Sequence, residues 1–329
     1  MTEPLVSVVI PCYNAGRWLP DTLESALAQT WPRTEIVVVD DGSTDCSRDV
    51  VKKYPVRLVE QSRRGPSAAR NAGFAVAGGE VVQFLDADDV LHPEKIARQM
   101  ERLIEFPAAL ALATQGKFPG TERDRTVFPA IATSRDWDDP VDYVTAVLAT
   151  GDMVATTAWL VPRALIERAG PWTRSLSFGE DTEYLCRLAL AASRIVFCEQ
   201  AVVYRRRHPG SLSTLDTPAA RRCRLRAVSR CTRLLLSRRD TALGRQAAAR
   251  YFTQLAYAYY PHATVFSRLA QRRAAALGVP PMEPVMGPHR RRLARVIGWR
   301  AASRVALAVR SLHGLLRRRG DKPPRSRNG

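Results

Sequence analysis

The sequence lacks any C-x-x-C pair among its six cysteines, and no signal peptide stands at Met1. Disulfide frameworks are typical of short secreted chains with regularly spaced cysteines. A chain without these features is expected to keep its thiols reduced. The sequence therefore predicts a cytoplasmic protein rather than an extracellular one.

Long apolar runs are also missing. A transmembrane helix needs about 20 consecutive, mostly apolar residues, and no uninterrupted run in the chain reaches that length. The sequence therefore predicts no transmembrane helix.

Acidic residues are scarce in one part of the chain only. Residues 219–329 contain 26 Lys and Arg against three acids, a net charge of +23, whereas residues 1–218 contain 24 against 29, a net charge of −5. Such asymmetry indicates contact with a polyanion, either a membrane surface or nucleic acid. The basic tail lacks the regular interleaving of aromatic and basic residues, and no recognisable nucleic-acid module is present. An anionic membrane surface is the expected partner, and nucleic acid is not.

The loop after the first strand lacks the G-x-G-x-x-G turn of dinucleotide-binding domains. Apolar, β-branched segments instead alternate with helical patterns, which predicts an α/β fold with a mostly parallel sheet flanked by helices. The predicted strands of the first half are residues 5–10, 35–39, 56–60 and 81–85.

The segment Val81–Asp89 carries the strongest chemical signal. Its apolar run ends in Asp86, Asp88 and Asp89, and the carboxyl edge of an α/β sheet is where ligands bind. Asp86 and Asp88 lie on the same side if the chain stays extended. Two such carboxylates favour a hard cation such as Mg²⁺ or Mn²⁺. The alternative is that these acids only precede a helix, since acidic residues favour helix N-termini.

In the second half of the chain, the hydrophobic pattern marks the boundaries of helices and strands less clearly. A strand is predicted over residues 108–114, a long polar loop over 115–137, a helix over 139–149 and short strands at 158–161, 194–197 and 201–204. A helix begins near Asp181, which on pattern alone is either a functional acid or the helix N-cap. Three domains are predicted: residues 1–218, a helical extension over 219–288, and a basic amphipathic helix with a disordered tail over 289–329.

Taken in order, these segments resemble the family 2 glycosyltransferases of the GT-A fold. Each matching piece is short, but six occur in the family's order and at its spacings. They are residues 8–14, 38–45, 69–73, 84–89, 179–183 and 204–211. The resemblance covers about residues 4–215 and implies a nucleotide-diphosphate-sugar donor, a divalent metal and inversion at the anomeric carbon.

The resemblance also implies roles for particular residues. A nucleotide pocket would be lined by Pro11, Tyr13, Asp40, Asp41, Arg70 and Asp86. Asp88 would hold Mn²⁺ or Mg²⁺, with Asp86 toward ribose or metal and His208 as a further metal or diphosphate ligand. Asp181 would be the general base, and Glu180 would orient the acceptor or its loop.

The expected function is transfer of a sugar to a hydroxyl acceptor in cell-surface glycan or glycolipid synthesis. A UDP-sugar is the first expectation for the donor, and the acceptor is a glycan or a lipid-linked sugar. No Q-x-x-R-W motif follows Tyr204, so transfer of one or a few sugars is expected rather than processive synthesis. The alternative is a catalytically inactive GT-A-like scaffold at the membrane.

The basic helix predicted over residues 289–319 also has two interpretations. Leu293, Val296, Ile297 and Val305 recur among arginines, as in helices that lie in the headgroup layer. This pattern predicts reversible binding to the inner face of the cell membrane. The alternative is an ordinary helix packed on the catalytic domain, with its apolar stripe facing the mildly acidic part of the chain.

Overall fold

The computed structural model describes residues 3–209 and 216–320, with side chains omitted for residue 306 and residues 308–320. Gly210 and Ser211 of the last matching segment, and the tail predicted to be disordered, lie outside these ranges. The strands are β1 Val6–Cys12, β2 Thr34–Asp40, β3 Arg57–Glu60, β4 Val81–Phe84, β5 Val90–Leu91, β6 Leu110–Pro119, β7 Trp159–Pro162 and β8 Ile195–Arg207. The helices are α1 Leu19–Leu27, α2 Ser47–Val51, α3 Pro66–Val76, α4 Lys95–Glu105, α5 Pro140–Thr150, α6 Arg163–Ala169, α7 Glu180–Ala191, α8 Pro218–Arg238, α9 Ala242–Tyr259, α10 Thr264–Ala275 and α11 Pro288–Gly320.

The strands form one sheet in the order β3-β2-β1-β4-β7-β6-β8-β5. The neighbours from β3 to β4 pair in parallel, as do β6 and β8, whereas β7 and β5 run antiparallel to their neighbours. This confirms the predicted mixed α/β class with a mostly parallel sheet. Strands β1, β2 and β4 end at the same edge of the sheet, so the segments that follow them lie at that edge.

The predicted loop over 115–137 is wrong at its start. Strand β6 runs to Pro119 and pairs in parallel with β8. Its polar residues misled the pattern because Gln115 is buried and satisfied: it donates to Met153 O at 3.2 Å and accepts from Ala155 N at 2.9 Å. The two short strands predicted at 194–197 and 201–204 are one strand, β8, whose register with β6 shifts at Ala113 and Thr114.

The chain divides into two compact units, one up to Ala247 and one from Ala248. In the first unit α8 packs close to α7, where Cys223 and Ala227 contact Leu176. In the second unit Leu293, Ala294, Trp299 and Ala302 of α11 pack with Tyr257 of α9. Helix α11 is interrupted at Gly298, which has φ 75° and ψ 153°, a conformation that glycine adopts at little cost.

No helix in the two described ranges combines the length and hydropathy needed to cross a bilayer.

Candidate active site

Arg70, in the second turn of α3, pairs with carboxylates from two separate segments. Its Nη2 lies 2.7 Å from Asp86 Oδ1, and its Nη1 lies 3.6 Å from Glu180 Oε1. The Arg70 side chain is only 6% exposed, and charges shielded from water interact more strongly than exposed ones. Arg70 therefore brings the segment after β4 to the N-terminus of α7.

The ring of Trp172 packs against this arginine. The Arg70 Cζ lies 4.5 Å from the centre of the Trp172 ring, within the range of cation–π attraction. The Trp172 ring stacks in turn on Tyr184 of α7, with centroids 3.9 Å apart. Sequence analysis missed Trp172, because nothing in its neighbours distinguishes it from an ordinary core residue.

Asp88 and His208 lie far apart in the sequence but are in contact. His208 Nε2 lies 2.9 Å from Asp88 Oδ2, and His208 Nδ1 lies 2.9 Å from the carbonyl oxygen of Pro209. Both ring nitrogens face oxygen atoms, and a hydrogen bond between Nε2 and the carboxylate requires a proton on one of the two groups. Burial and the neighbouring charge of Asp86 raise the pKa of Asp88. The pair is thus a place where a cation other than a proton would be stabilised.

Helix α7 begins at Glu180, and its N-cap is Gly179 rather than Asp181. Gly179 has φ 73°, and a Cβ added to it would lie 3.3 Å from Ala227 Cβ, so a larger residue would strain both the backbone and the contact with α8. Asp181 is partly exposed, and its Oδ1 accepts from Thr182 N at 2.7 Å. The carboxylate therefore sits in the first turn of a helix, where the dipole favours negative charge.

Burial shifts the pKa of Glu180, the acid at the start of α7 that pairs with Arg70. Desolvation and the charge of Asp181 raise its pKa from 4.5 to about 7, against the opposing effect of Arg70. The folded state therefore holds a proton on Glu180 between these pH values, whereas the unfolded state does not. Stability consequently falls as pH rises from about 4.5 through 7.

Glu180→Gln is expected to remove this pH dependence. From pH 5 to pH 8 the free energy of unfolding of the parent should fall by about 2 kcal/mol relative to that of the variant. Urea denaturation at both pH values measures the difference, and Glu101→Gln, at a side chain 63% exposed, is the matched control. Identical pH dependence in the parent and Glu180→Gln would contradict the assignment.

The predicted nucleotide residues lie around the ends of β1 and β2. Pro11 lies in β1, and the ring of Tyr13 is covered by Arg63, whose Cζ is 4.0 Å from its centre. Asp40 accepts from Ser43 N at 3.1 Å. Asp41 accepts from three donors, Gln61 Nε2, Arg64 N and Gly65 N, at 2.6–2.7 Å. Both carboxylates are buried and hold the loops that surround this edge of the sheet.

Comparison with known proteins identifies the family. The family model described as "Glycosyl transferase family 2" matches residues 7–145, the region that supplies Tyr13, Asp40, Arg70 and Asp88.

Residues 7–145 belong to glycosyltransferase family 2.

Similar curated proteins agree with this assignment. YibD of Escherichia coli, an uncharacterized glycosyltransferase, is 43% identical over 145 residues, which are 40% of this chain and 42% of YibD. TuaG of Bacillus subtilis, a glycosyltransferase named for teichuronic acid biosynthesis, is 39% identical over 117 residues, which are 33% of this chain and 46% of TuaG. The chain thus matches less than half the length of these two relatives.

Solved structures show that the family 2 domain has the GT-A fold. TarS of Staphylococcus aureus, solved with UDP, superposes with a TM-score of 0.55 at 18% identity and covers 83% of this chain and 88% of its own. A mannosyltransferase of Pyrobaculum calidifontis, solved with GDP-Man and Mn²⁺, gives a TM-score of 0.51 at 21% identity, with 85% and 77% covered. The predicted fold is therefore confirmed.

The residues of this site fit a divalent cation in part. Adjacent ligands of an octahedral ion with bonds of ~2.1 Å are about 3 Å apart, and the Asp88 and His208 atoms are 2.9 Å apart. Asp86 is instead bound to Arg70. Within the described ranges, no group of three or more His, Cys, Asp or Glu is arranged to hold a metal. Asp88 and His208 would thus supply two ligands, and donor phosphates the others.

The Asp88 segment is held in place by two residues to which the sequence analysis gave no role. Asp89 is buried and accepts from Thr157 Oγ1 at 2.8 Å and from Arg206 N at 3.0 Å. Arg206 donates through Nε to Asp88 O at 2.9 Å and through Nη2 to Asp21 at 2.7 Å. Arg206 is buried between two more exposed arginines of β8, and strand alternation does not distinguish it, because the buried Ala201 and Val203 lie on the alternate positions.

Proposed function

We propose that the chain is a metal-dependent, inverting glycosyltransferase that moves a sugar from a nucleotide diphosphate to a hydroxyl acceptor. The observation that supports this most strongly is the pairing of Asp88 with His208 beside a second cluster formed by Asp86, Arg70 and Glu180. These residues come from four segments of the first unit, two of which lie within the region that matches the family 2 model. A donor bound at this edge of the sheet would lie between a cation site and the acids of α7.

The donor is a UDP-sugar in this proposal. Tyr13 offers an aromatic surface for the base, and Asp40 and Asp41 hold the loops around it. Arg70, already paired with Asp86, fixes the acid that faces the ribose. Solved relatives support the donor class, because TarS was solved with UDP and with UDP-GlcNAc, and the mannosyltransferase with GDP-Man.

Asp181 acts as the general base in this proposal. The acceptor oxygen attacks the anomeric carbon, its proton passes to Asp181, and the bond from that carbon to the diphosphate oxygen breaks on the opposite face, which inverts the configuration. Glu180, held by Arg70, orients the acceptor. A divalent cation held by Asp88 and His208 would neutralise charge on the departing diphosphate.

The direct test is release of nucleoside diphosphate from labelled UDP-, TDP- and GDP-sugars with Mn²⁺, with and without EDTA. Water serves as the acceptor, so the natural acceptor is not needed. Release from one donor that EDTA abolishes supports the proposal, and no release from any donor in the panel argues against it.

Synthesis of cell-surface polysaccharide is the proposed context, on the basis of the name of TuaG. The proposed location is the inner face of the cell membrane. Supporting this, Val296, Ile297 and Val305 of α11 are 82%, 42% and 44% exposed and lie among arginines, whereas Leu293 packs inward with Tyr257. The exposed aliphatic residues of α11 are therefore the ones proposed to face the membrane.

The full chain is expected to sediment with vesicles containing anionic lipid and not with neutral vesicles, and high salt should release it. Each basic residue near an anionic surface contributes about 1 kcal/mol, and this attraction is screened by salt. Vesicle co-sedimentation at low and high salt measures the effect. Equal binding to neutral and anionic vesicles would contradict the proposed location.

A further inference from the structure

A basic pocket lies entirely within the second unit. It is a cavity of about 270 Å³ bounded by α10 and α11, and its lining includes Tyr260, Arg268, Gln271, Arg300 and Arg304. Three arginines thus line one small space. Like charges gathered in this way repel one another unless an anion lies among them.

The charges of the basic pocket are not neutralised by the unit itself. Glu283 is the single acidic residue in the sequence from 248 to 320. Within the described ranges, Arg268, Arg300 and Arg304 form no ion pair with a carboxylate. Each guanidinium carries five N–H donors, and the one side-chain hydrogen bond found among these three residues is from Arg300 Nη2 to Gln271 Oε1. Most of their donors are therefore available to a ligand.

The three arginines of the pocket are exposed, but packed residues hold together the helices that carry them. Trp299, next to Arg300, packs edge-on against Tyr260 with centroids 5.4 Å apart, and Arg304 lies 5.7 Å from the same ring. Gln271 joins Arg300 to Ser267, whose hydroxyl donates to Ala256 O at 2.8 Å. Helices α9, α10 and α11 are thus tied together around the cavity.

A further positive contribution comes from the start of α10. Its first residue, Thr264, lines the cavity, and its N-cap, Ala263, has no side chain that can accept from the first-turn N–H groups. The dipole at a helix N-terminus attracts anions. Together with the three arginines, it selects a small, doubly charged anion over a single carboxylate.

The surroundings indicate that this anion is part of a lipid. Val265 and Leu269 flank Arg268 on α10 and are 65% and 37% exposed, and Val305 next to Arg304 is 44% exposed. Exposed aliphatic side chains beside arginines are typical of elements that lie at a bilayer surface. Free inorganic phosphate has no apolar part that would contact these exposed aliphatic side chains.

We propose that the basic pocket binds a phosphomonoester group, presented by a lipid headgroup at the membrane surface. A phosphomonoester carries about −1.5 to −2 charges and three free oxygens, which match three guanidiniums better than a phosphodiester does. The pocket thereby adds headgroup selectivity to the attraction between the basic unit and an anionic membrane. This inference concerns the second unit alone and does not depend on sugar transfer.

The experiment measures selectivity rather than affinity alone. The full chain is titrated with phosphatidylcholine vesicles that contain phosphatidic acid or phosphatidylglycerol, adjusted to equal surface potential. The parent should bind phosphatidic acid about tenfold more tightly, the effect of one strong charge-assisted contact. Arg300→Gln/Arg304→Gln should bring the ratio close to one. Arg292→Gln/Arg295→Gln removes the same charge from α11 outside the pocket, and it should weaken binding to both lipids while keeping the ratio.

Circular dichroism and donor hydrolysis, which reports on the first unit, check that each variant is folded. Arg268→Gln is a second pocket variant, on another helix.

Competition by inorganic phosphate at constant ionic strength separates the sources of the anion. If inorganic phosphate stabilises the parent but not the pocket variants, and the two lipids bind equally, the lipid source is overturned. If both double variants weaken binding equally and the parent shows no selectivity, the pocket itself is overturned. Absence of donor hydrolysis in the parent would contradict the proposed enzymatic function but not the proposed lipid selectivity.

Discussion

Asp181→Asn is expected to lower the rate of sugar transfer by about 10²–10⁴-fold, the usual contribution of a positioned general base, while donor affinity stays the same. Asparagine has nearly the shape of aspartate and can still accept from Thr182 N, but it cannot take the acceptor proton. Because water also needs deprotonation, donor hydrolysis should fall with transfer.

The measurement compares nucleotide release and donor affinity in the same preparations. Asp138→Asn is the matched control, because its side chain is 91% exposed and pairs only with Arg194 at the surface. Release by Asp181→Asn at the parent rate would exclude Asp181 as the base. Donor binding without any release by the parent would instead support the catalytically inactive alternative.

Asp88→Ala is expected to have the opposite pattern, a loss of donor binding. The pair with His208 is the place where the cation would be held, so without Asp88 the Mn²⁺-dependent part of donor affinity should fall by at least about 100-fold, above the 10–100-fold typical of an outer-shell residue. Titration calorimetry with Mn²⁺ or with EDTA measures this part.

Asp181→Asn serves as the control for this experiment, since it should keep the parent's Mn²⁺-dependent affinity. If Asp88→Ala binds the donor with unchanged affinity in Mn²⁺, the cation lies elsewhere. If EDTA has no effect on the parent, donor binding requires no cation.

The sequence was informative where a pattern reports directly on burial. Strands β1, β2 and β4 are apolar and β-branched, and each ends in the residues that approach the sheet edge. Their identification therefore followed from composition and spacing. Asp86 and Asp88 were identified because carboxylates follow a buried strand at the ligand-binding edge of the sheet, whereas the roles of Glu180 and Asp181 came from the resemblance to family 2 glycosyltransferases.

The sequence was less informative where polar residues are buried. Gln115 lies within β6 because its amide is satisfied by Met153 and Ala155, and a polarity pattern counts such a residue as part of a loop. The role of Arg206 could not be predicted either, because the three groups to which its side chain donates come from distant segments. Contacts of this kind depend on tertiary structure, which local periodicity does not contain.

Side-chain direction was the other quantity that could not be predicted. The D-x-D spacing suggests that Asp86 and Asp88 face one ligand, but Asp86 turns to Arg70 and Asp88 to His208. The chain turns after Phe84 instead of continuing as a strand, so the alternation expected of an extended segment does not apply. Two neighbouring acids can therefore serve different parts of one site.

Donor binding is the measurement that tests the central claim most directly. Thermal unfolding of the full chain is followed with UDP-, TDP- and GDP-sugars in the presence of Mn²⁺. A donor at 100 times its Kd should add about 2.7 kcal/mol to the free energy of unfolding. The account predicts that one nucleotide class stabilises the chain in this way and that EDTA removes the effect. No stabilisation by any of these donors at saturating Mn²⁺ would contradict it.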